Sequence, residues 1–466
     1  MSVTFENFWF RYPNSSWVLK NINLHIDPGE IVIIAGPTGS GKSTMLFALS
    51  GLIPEYINGF WKGDVKINHM STIKNFKRLA GVVGIVFQNF EDQLFSLTVE
   101  EEISLGPLNA DLPLDEVKNR VTELLRFFDL AELRHRPISS LSYGQKQRVV
   151  IASMMALDPE VFLLDEPFSQ LDEESSRKLN WLIGKLKKSG RTILISEHEI
   201  IPLLDIADRL LLIRDGKILY NGEPYIDQEK LIELGLRIRY PHHKKRDSTY
   251  KNYVLVTSDV SCGWYKKAIL RWVNIFVREQ ETVGITGPNG SGKTTLGLTL
   301  IGVLSPISGE IFKKGRTVMV FQNPDNNLIF DNVWDEVFFP LKQAAKDLSV
   351  NEVERITEEL LDAAYLTKYK EKDPHGISKG ERLRLAVISS ISSMPSTLIL
   401  DEPTMGQDYK SLSWMMEIIE EFSRKFKFGT VILTHNRRYA RAICDRVYNI
   451  NRKGILTLDY DADYDK

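Results

Sequence analysis

Short apolar runs recur along the chain, each closed by a glycine-rich or acidic break. Ile31-Val-Ile-Ile-Ala35, Val82-Val-Gly-Ile-Val86, Val161-Phe-Leu-Leu164 and Ile193-Leu-Ile195 form one series. Thr282-Val-Gly-Ile-Thr286, Thr317-Val-Met-Val320, Thr397-Leu-Ile-Leu400 and Val431-Ile-Leu-Thr434 form a second, in the same order. Runs of this kind read as buried parallel strands. The apolar segments Met45–Leu49 and Leu296–Leu300 predict helices directly after the first strand of each series, and amphipathic helical patterning lies around 115–130 and 350–366. Residues 3–35 read as short β-segments broken by Tyr12-Pro-Asn-Ser-Ser16 and by the turn signal Asp27-Pro-Gly-Glu30. An insert-like stretch, 51–88, is compressed to 302–322 in the second series. The pattern predicts an α/β chain with two tandem copies of one domain, 1–236 and 253–466, joined by a basic linker over 237–252.

The breaks carry chemistry, and carry it twice. After the first strand comes Gly36-Pro-Thr-Gly-Ser-Gly-Lys-Ser-Thr44; 251 residues on comes Gly287-Pro-Asn-Gly-Ser-Gly-Lys-Thr-Thr295. Strand, glycine-rich loop and helix make a phosphate-binding loop. Gly36, Gly39 and Gly41, like Gly287, Gly290 and Gly292, let the backbone curl its N–H groups toward a phosphate chain. Pro37, Thr38, Ser40 and Thr44, with Pro288, Asn289, Ser291 and Thr295, complete the two loops. Lys42 and Lys293 are placed to reach the outer phosphates, and Ser43 and Thr294 can each put a hydroxyl on Mg²⁺.

Gln88 ends Val-Phe-Gln 46 residues after Lys42, and Gln322 ends the same tripeptide 29 residues after Lys293. Farther on, Ser142, Gly144 and Gln145 open one helix; Ser378, Gly380 and Glu381 open another. Each triplet reads as a second phosphate cradle or as an ordinary N-cap. The acid pairs Asp165–Glu166 and Asp401–Glu402 both stand 21 residues beyond those glycines, at strand ends. The first acid of each suits Mg²⁺ and the second suits polarising a water. His198 and His435 follow at the ends of further strands, where a γ-phosphate contact is expected. Tyr12 lies 24 residues before Gly36 and Trp264 lies 23 before Gly287. Either ring could stack on a purine or pack in the core, and Tyr265 competes with Trp264 for the role.

Composition narrows the class. There are 59 basic and 61 acidic residues, a formal charge of −2, so no global attraction to nucleic acid is implied. The two cysteines, Cys262 and Cys444, lack metal-ligand spacing and fit a reducing compartment. The amino terminus shows neither a basic leader nor an apolar run, so no signal peptide is expected, and no apolar segment approaches membrane-spanning length. The basic stretch Arg237–Arg246 reads as a solvated linker or as a contact for anionic lipid headgroups. The end of the chain, Leu456–Lys466, is acidic and Tyr-rich and receives no assignment.

Glycine loop, Gln, Ser-x-Gly loop, Asp-Glu and His, twice in one order, resemble the ATP-binding cassette family across essentially the whole chain. The resemblance implies, in each half, a mixed-sheet core, a peripheral antiparallel β-region and a helical subdomain. It implies ATP and Mg²⁺ as ligands and head-to-tail pairing of the two cassettes. Lys42, Ser43, Asp165, Glu166 and His198 would then face Ser378 and Gly380, while Lys293, Thr294, Asp401, Glu402 and His435 would face Ser142 and Gly144. Gln88 and Gln322 would sit at the magnesium end of each site. Ser169-Gln-Leu-Asp172 and Met405-Gly-Gln-Asp408 stand where the family has its D-loop, the second departing in its first residues. Ile377-Ser-Lys-Gly-Glu381 departs from the family's Leu-Ser-Gly-Gly-Gln at three places, Leu141-Ser-Tyr-Gly-Gln145 at one.

Within the family, Phe87–Phe95, Phe321–Phe330 and Leu105-Gly-Pro107 resemble the ATPases of energy-coupling factor importers, which take up vitamins and transition-metal ions. The segment Leu231–Leu236 is similar to that subfamily's short tail. The likeness implies a peripheral protein at the cytoplasmic membrane face, with a transmembrane scaffold subunit and a substrate-binding membrane subunit as partners. Glu100–Glu102 and Asp335–Glu336, at two helix starts, read as dipole compensation or as the lining of grooves for basic scaffold helices. The competing class is a soluble tandem-cassette ATPase of the ribosome, against which the short linker and the two cysteines speak. Chromosome-maintenance ATPases need long heptad runs, which are absent here.

Overall fold

The computed structural model describes residues 1–466 except 80, 169–170, 199, 201–202, 225–228, 230, 232–251, 266, 405–406, 408, 452 and 462–466. The chain divides into two compact units, Met1–Ile238 and Arg239–Lys466. Of the expected linker 237–252 only Asn252 is described. Ser169, Gln170, Met405, Gly406 and Asp408 of the two D-loop segments, and 232–236 of the short tail, also lie outside the described residues.

In the first unit the strands are β1 (Val3–Arg11), β2 (Leu19–Ile26), β3 (Ile31–Ala35), β4 (Phe60–Ile67), β5 (Met70–Ser71), β6 (Val83–Val86), β7 (Val161–Asp165), β8 (Thr192–Glu197), β9 (Arg209–Arg214) and β10 (Lys217–Gly222). They form an antiparallel sheet of order β2-β1-β4-β5 and a six-stranded sheet of order β10-β9-β3-β8-β7-β6. Five strands of the larger sheet run parallel, and β10 pairs antiparallel with β9 at one edge. Every residue of β3, β7 and β8 is buried, as unalternated apolar runs require of a sheet covered on both faces. Ile31, Ile33 and Ala35 face one core, shared with the helices. Val32 and Ile34 face a second core, beneath the antiparallel sheet.

The second unit repeats this with β11 (Tyr253–Trp264), β12 (Lys267–Val273), β13 (Phe276–Arg278), β14 (Thr282–Thr286), β15 (Ser308–Lys313), β16 (Thr317–Val320), β17 (Thr397–Asp401), β18 (Gly429–Thr434), β19 (Arg446–Ile450) and β20 (Leu456–Asp461). Its six-stranded sheet has the order β16-β17-β18-β14-β19-β20, the same succession as in the first unit. The compressed region leaves β15 against β11 with no equivalent of β5 among the described residues.

The described part of the segment left unassigned at the chain's end, Leu456–Asp461, is a strand. β20 pairs antiparallel with β19 and corresponds to β10. Asp459 pairs with Arg437 and Arg441, and Asp461 lies 3.0 Å from the buried Arg446. The two amphipathic helices are Leu114–Phe127 and Val350–Ala363.

Candidate functional site

At the end of β3 the chain must turn sharply into the helix Lys42–Leu49. A Cβ on Gly36 would stand 2.1 Å from the carbonyl oxygen of Ile213, so only glycine fits. Gly41 has φ +106° and Gly292, its counterpart before the helix Lys293–Ile301, has φ +100°. Both sit in the left-handed region that disfavours a side chain. The curl folds each lysine back onto its own loop. Lys42 Nζ donates to the carbonyls of Gly36 at 2.9 Å and Pro37 at 3.1 Å. Lys293 Nζ donates to those of Gly287 at 2.8 Å and Pro288 at 3.2 Å. In both loops a serine hydroxyl, Ser40 Oγ and Ser291 Oγ, is buried with no hydrogen-bond partner among the described residues. A buried hydroxyl of this kind is satisfied when a ligand oxygen accepts from it.

The acid pairs end β7 and β17. Ser43 Oγ donates to Asp165 Oδ1 at 3.0 Å, and Thr294 Oγ1 donates to Asp401 Oδ2 at 2.8 Å. Each hydroxyl–carboxylate pair supplies hard oxygen donors of the kind Mg²⁺ takes. In the second unit Asp401 Oδ1 is buried and has no hydrogen-bond partner among the described residues. Burial pushes the Asp401 carboxyl up to about 6, with the Glu402 charge adding to it while Thr294 and Lys293 oppose. Asp165 is also raised, chiefly by burial, against hydrogen bonds from Ser196 and Ser43.

Glu166 and Glu402 have φ of +47° and +48°, a strained conformation for a residue with a side chain. It recurs at the same step of both copies, where the chain leaves the strand. Glu166 Oε1 lies 2.6 Å from His198 Nε2, and Glu166 Oε2 accepts from Gln88 Nε2 at 2.7 Å. His198 Nε2 is also 3.3 Å from Lys42 Nζ. In the second unit Glu402 Oε2 meets His435 Nδ1 at 2.9 Å and accepts from Thr434 Oγ1 at 3.1 Å. Glu402 Oε1 stands 3.3 Å from Lys293 Nζ. Burial pushes the Glu402 carboxyl up, but His435 and Lys293 outweigh it and hold the group below its usual range. Lysine, both acids, histidine and, in the first unit, glutamine thus converge around one space in each copy. Gln88 comes to Glu166 rather than to the Ser43–Asp165 pair. In the second unit one cleft is lined by Gln322, Lys379, Asp401, Glu402 and Gln407.

The aromatic candidates resolve by geometry. Tyr12 packs edge-on against Phe10 at 5.0 Å, and its hydroxyl is 3.1 Å from Thr44 Oγ1. Trp264 Nε1 donates to Thr295 Oγ1 at 3.3 Å, the same anchor in the second copy, whereas Tyr265 is fully exposed. Trp264 is therefore the counterpart of Tyr12. Ser142 and Ser378 are N-caps within their own units. Their hydroxyls accept from Gln145 N and Glu381 N at 3.4 Å, and Gln145 and Glu381 reach back to Ser142 N and Ser378 N at 2.9 Å. A capping box leaves the serine at the exposed start of its helix.

The helix-start acids do not line grooves together, as the second reading of them required. Glu102 and Glu336 are 2% and 1% exposed. Glu102 accepts from the backbone N–H of Phe95 at 3.0 Å and Ser96 at 2.8 Å. Glu336 accepts from Ile329 N and, at 2.6 Å, Phe330 N. Glu100 is held by Arg134 at 2.5 Å, Glu101 closes a capping box with Thr98, and Asp335 caps with Asn332. What faces outward beside them is apolar: Phe95, Leu97 and Ile329 are 78%, 80% and 80% exposed.

Two functional positions escape sequence reasoning. Gln93 Oε1 accepts from Phe87 N at 2.8 Å and its Nε2 donates to Ile85 O at 2.9 Å, extending the edge of β6. Asn327 does the same for Phe321 N and Met319 O at 2.9 and 2.8 Å. The signal available was an amide five residues after each glutamine. Ser196, which donates to Asp165, is the other.

A family profile described as ABC transporter matches residues 19–169 and 270–405. The chain belongs to the ABC transporter family. A Methanosarcina acetivorans protein, provisionally named an ABC transporter ATP-binding protein, is 32% identical over 519 residues, covering 92% of this chain and 80% of its own. The structure of cbiO1 from Clostridium perfringens, described as part of the ABC transporter complex cbiONQ, is 30% identical. It covers 51% of this chain and 95% of its own at a TM-score of 0.45. A structure of ribosome-bound archaeal Pelota and ABCE1 is 20% identical, covering 95% of this chain and 76% of its own at a TM-score of 0.69, and shares the fold. As a tandem-cassette ABC ATPase the chain binds and hydrolyses ATP.

Proposed function

We propose that the chain is the energy-coupling ATPase of an energy-coupling factor type importer, taking up a vitamin or a transition-metal ion. On this reading 1–236 and 253–466 are two cassettes joined by a basic linker. Two ATP molecules lie between them, each held by the phosphate loop of one cassette and by Ser142 and Gly144, or Ser378 and Gly380, of the other. Tyr12 and Trp264 stack on the adenines. Ser43 with Asp165, and Thr294 with Asp401, hold Mg²⁺, which when bound neutralises phosphate charge. The orphaned Asp401 Oδ1 supports a cation there. Glu166 and Glu402 orient and deprotonate the attacking water. His198 and His435, now on those glutamates, turn toward the γ-phosphate once it arrives.

The observation that carries the transport reading is the segment after each glutamine. It begins beside the ATP site and ends at exposed apolar residues, Phe95 and Leu97 in one unit and Ile329 in the other. In the first unit Leu97 lines a groove together with Leu94, Pro137 and Ile138, the polar Ser96, Thr98 and Ser139, and the charged Glu91 and Lys146. A groove with apolar lining, in which Glu91 and Lys146 pair with each other at 2.5 Å, suits the apolar face of an amphipathic helix of a membrane scaffold. Among the described residues no helix is long and apolar enough to cross a membrane; on this reading the scaffold and the substrate-binding subunit are separate chains. The protein then works at the cytoplasmic membrane face.

The test is purification of the tagged chain from its native cells after mild detergent extraction. Membrane subunits should come with it, and Phe95→Asp with Leu97→Asp should release them while ATP is still bound. Recovery with ribosomes in place of membrane proteins would overturn the importer reading.

A further inference from the structure

The buried glutamates at the helix starts are unexplained by ATP chemistry and by helix capping alike. The helices Val99–Asn109 and Val333–Ala344 already have their N-caps, Thr98 and Asn332, whose side chains accept from Glu101 N and Asp335 N. Glu102 and Glu336 instead send their carboxylates back to the preceding loop, each taking two successive backbone N–H groups. Neither carboxylate has an ion pair among the described residues, and burying such a group without a cation is costly. Yet the arrangement occurs twice, each glutamate standing 14 residues after its glutamine.

The other end of each loop is fastened as well. Gln93 and Asn327 bind the loop to the edge strand by two hydrogen bonds apiece. The segment from Gln88 to Ser96 is thus tied at the sheet by an amide and at the helical part by a carboxylate. In the first unit the carbonyl of Glu102 also accepts from Ser153 Oγ at 3.0 Å, joining the tie to the helix Tyr143–Met155 that Ser142 caps.

We propose that Glu102 and Glu336 are positioning residues that make each post-glutamine loop a stiff lever. Through them a change at Gln88 or Gln322 reaches the exposed Phe95–Leu97 and Ile329 tips instead of dissipating in a slack loop. The proposal rests on the ATPase activity and not on the identity of any membrane partner.

A fluorescent reporter at the tip tests it in the full-length chain. Cys262 and Cys444 are buried, so Leu97→Cys gives an exposed thiol for an environment-sensitive dye. Adding Mg²⁺ with a non-hydrolysable ATP analogue should change the emission of this labelled protein. In Glu102→Ala the change should be lost while the affinity for the analogue is retained. Glu102→Leu keeps most of the side-chain volume should the alanine variant fold poorly, and it should also blunt the response, having no acceptor for the two backbone N–H groups. Ile329→Cys with Glu336→Leu repeats the experiment in the second unit. A tip that does not respond in the labelled parent, or a response that survives in both glutamate variants, overturns the lever.

Discussion

The two copies place their acid pairs on the same sheet register but surround them differently. In the first unit β8 sets Ser196 opposite Asp165; in the second β18 sets Leu433 opposite Asp401. The serine donates to its aspartate, the leucine cannot, and Asp401 Oδ1 is left without a hydrogen-bond partner. One position later Glu197 accepts from Phe168 N and His198 N, while Thr434 donates to Glu402. The histidines respond accordingly: His198 meets its glutamate through Nε2 and His435 through Nδ1. Two strand residues, neither of which belongs to a recognised motif, therefore decide how each copy rests before nucleotide binds. Duplication preserves the reacting groups and lets their neighbours drift.

The largest expected effect treats the copies as equals. Glu166→Gln together with Glu402→Gln removes both candidate bases and should lower ATP turnover by roughly 10²–10⁴-fold while nucleotide still binds, read by phosphate release and equilibrium binding. Near-parental turnover would unseat both glutamates at once. The single variants then separate the copies. On the proposed pairing of the cassettes, the altered Ile377–Glu381 loop would serve the site of Lys42 and Glu166 and make it the slower, so Glu402→Gln should cost more activity than Glu166→Gln. The reverse order in single-turnover assays refutes the asymmetry.

The pH response sharpens the comparison further. A carboxyl raised to about 6 in the folded chain, from an ordinary 3.8, is protonated below that window and bears a buried charge above it. Its contribution to stability is thus present at low pH and lost as pH rises through 6. Asp401→Asn should accordingly relieve about 1–2 kcal/mol of the stability that the nucleotide-free protein loses between pH 5 and pH 8. Leu433→Ser, which offers Asp401 a donor, should flatten the same slope even though the lost packing lowers Tm at every pH. An unchanged slope in both variants would show that Asp401 does not titrate there. The smallest effect concerns the rings. Tyr12→Ala and Trp264→Ala should each weaken ATP binding by about 0.5–1.5 kcal/mol, roughly two- to tenfold, measured site by site in the single glutamate backgrounds. No change for either variant would return both rings to the core.

The central strands, both phosphate loops and the acid pairs were legible in the sequence, because burial on two faces writes unbroken apolar runs and the loop geometry demands glycine. The edges were not. β10 and β20 are half-exposed strands, and the hairpin signals Asp215-Gly216 and Gly454 are short beside the long runs around them. Glu102 and Glu336 were misread for a different reason. Three acids in the first turn of one helix and two in the other look alike in one dimension, and only the packing of the preceding loop decides which one turns inward. Trp264 could be told from Tyr265 only once Thr295 was seen beneath it.

Among the described residues each unit has its own apolar interior. The two clusters that share β3 take residues from the first unit alone, and the two that share β17 and β18 take residues from the second alone. Each half thus carries its own reason to fold, so the gene could be severed between codons 239 and 251 and the halves produced as two polypeptides. A single parent half could then be mixed with many variants of the other, turning a problem of paired mutations in one chain into a grid of recombinations in a tube.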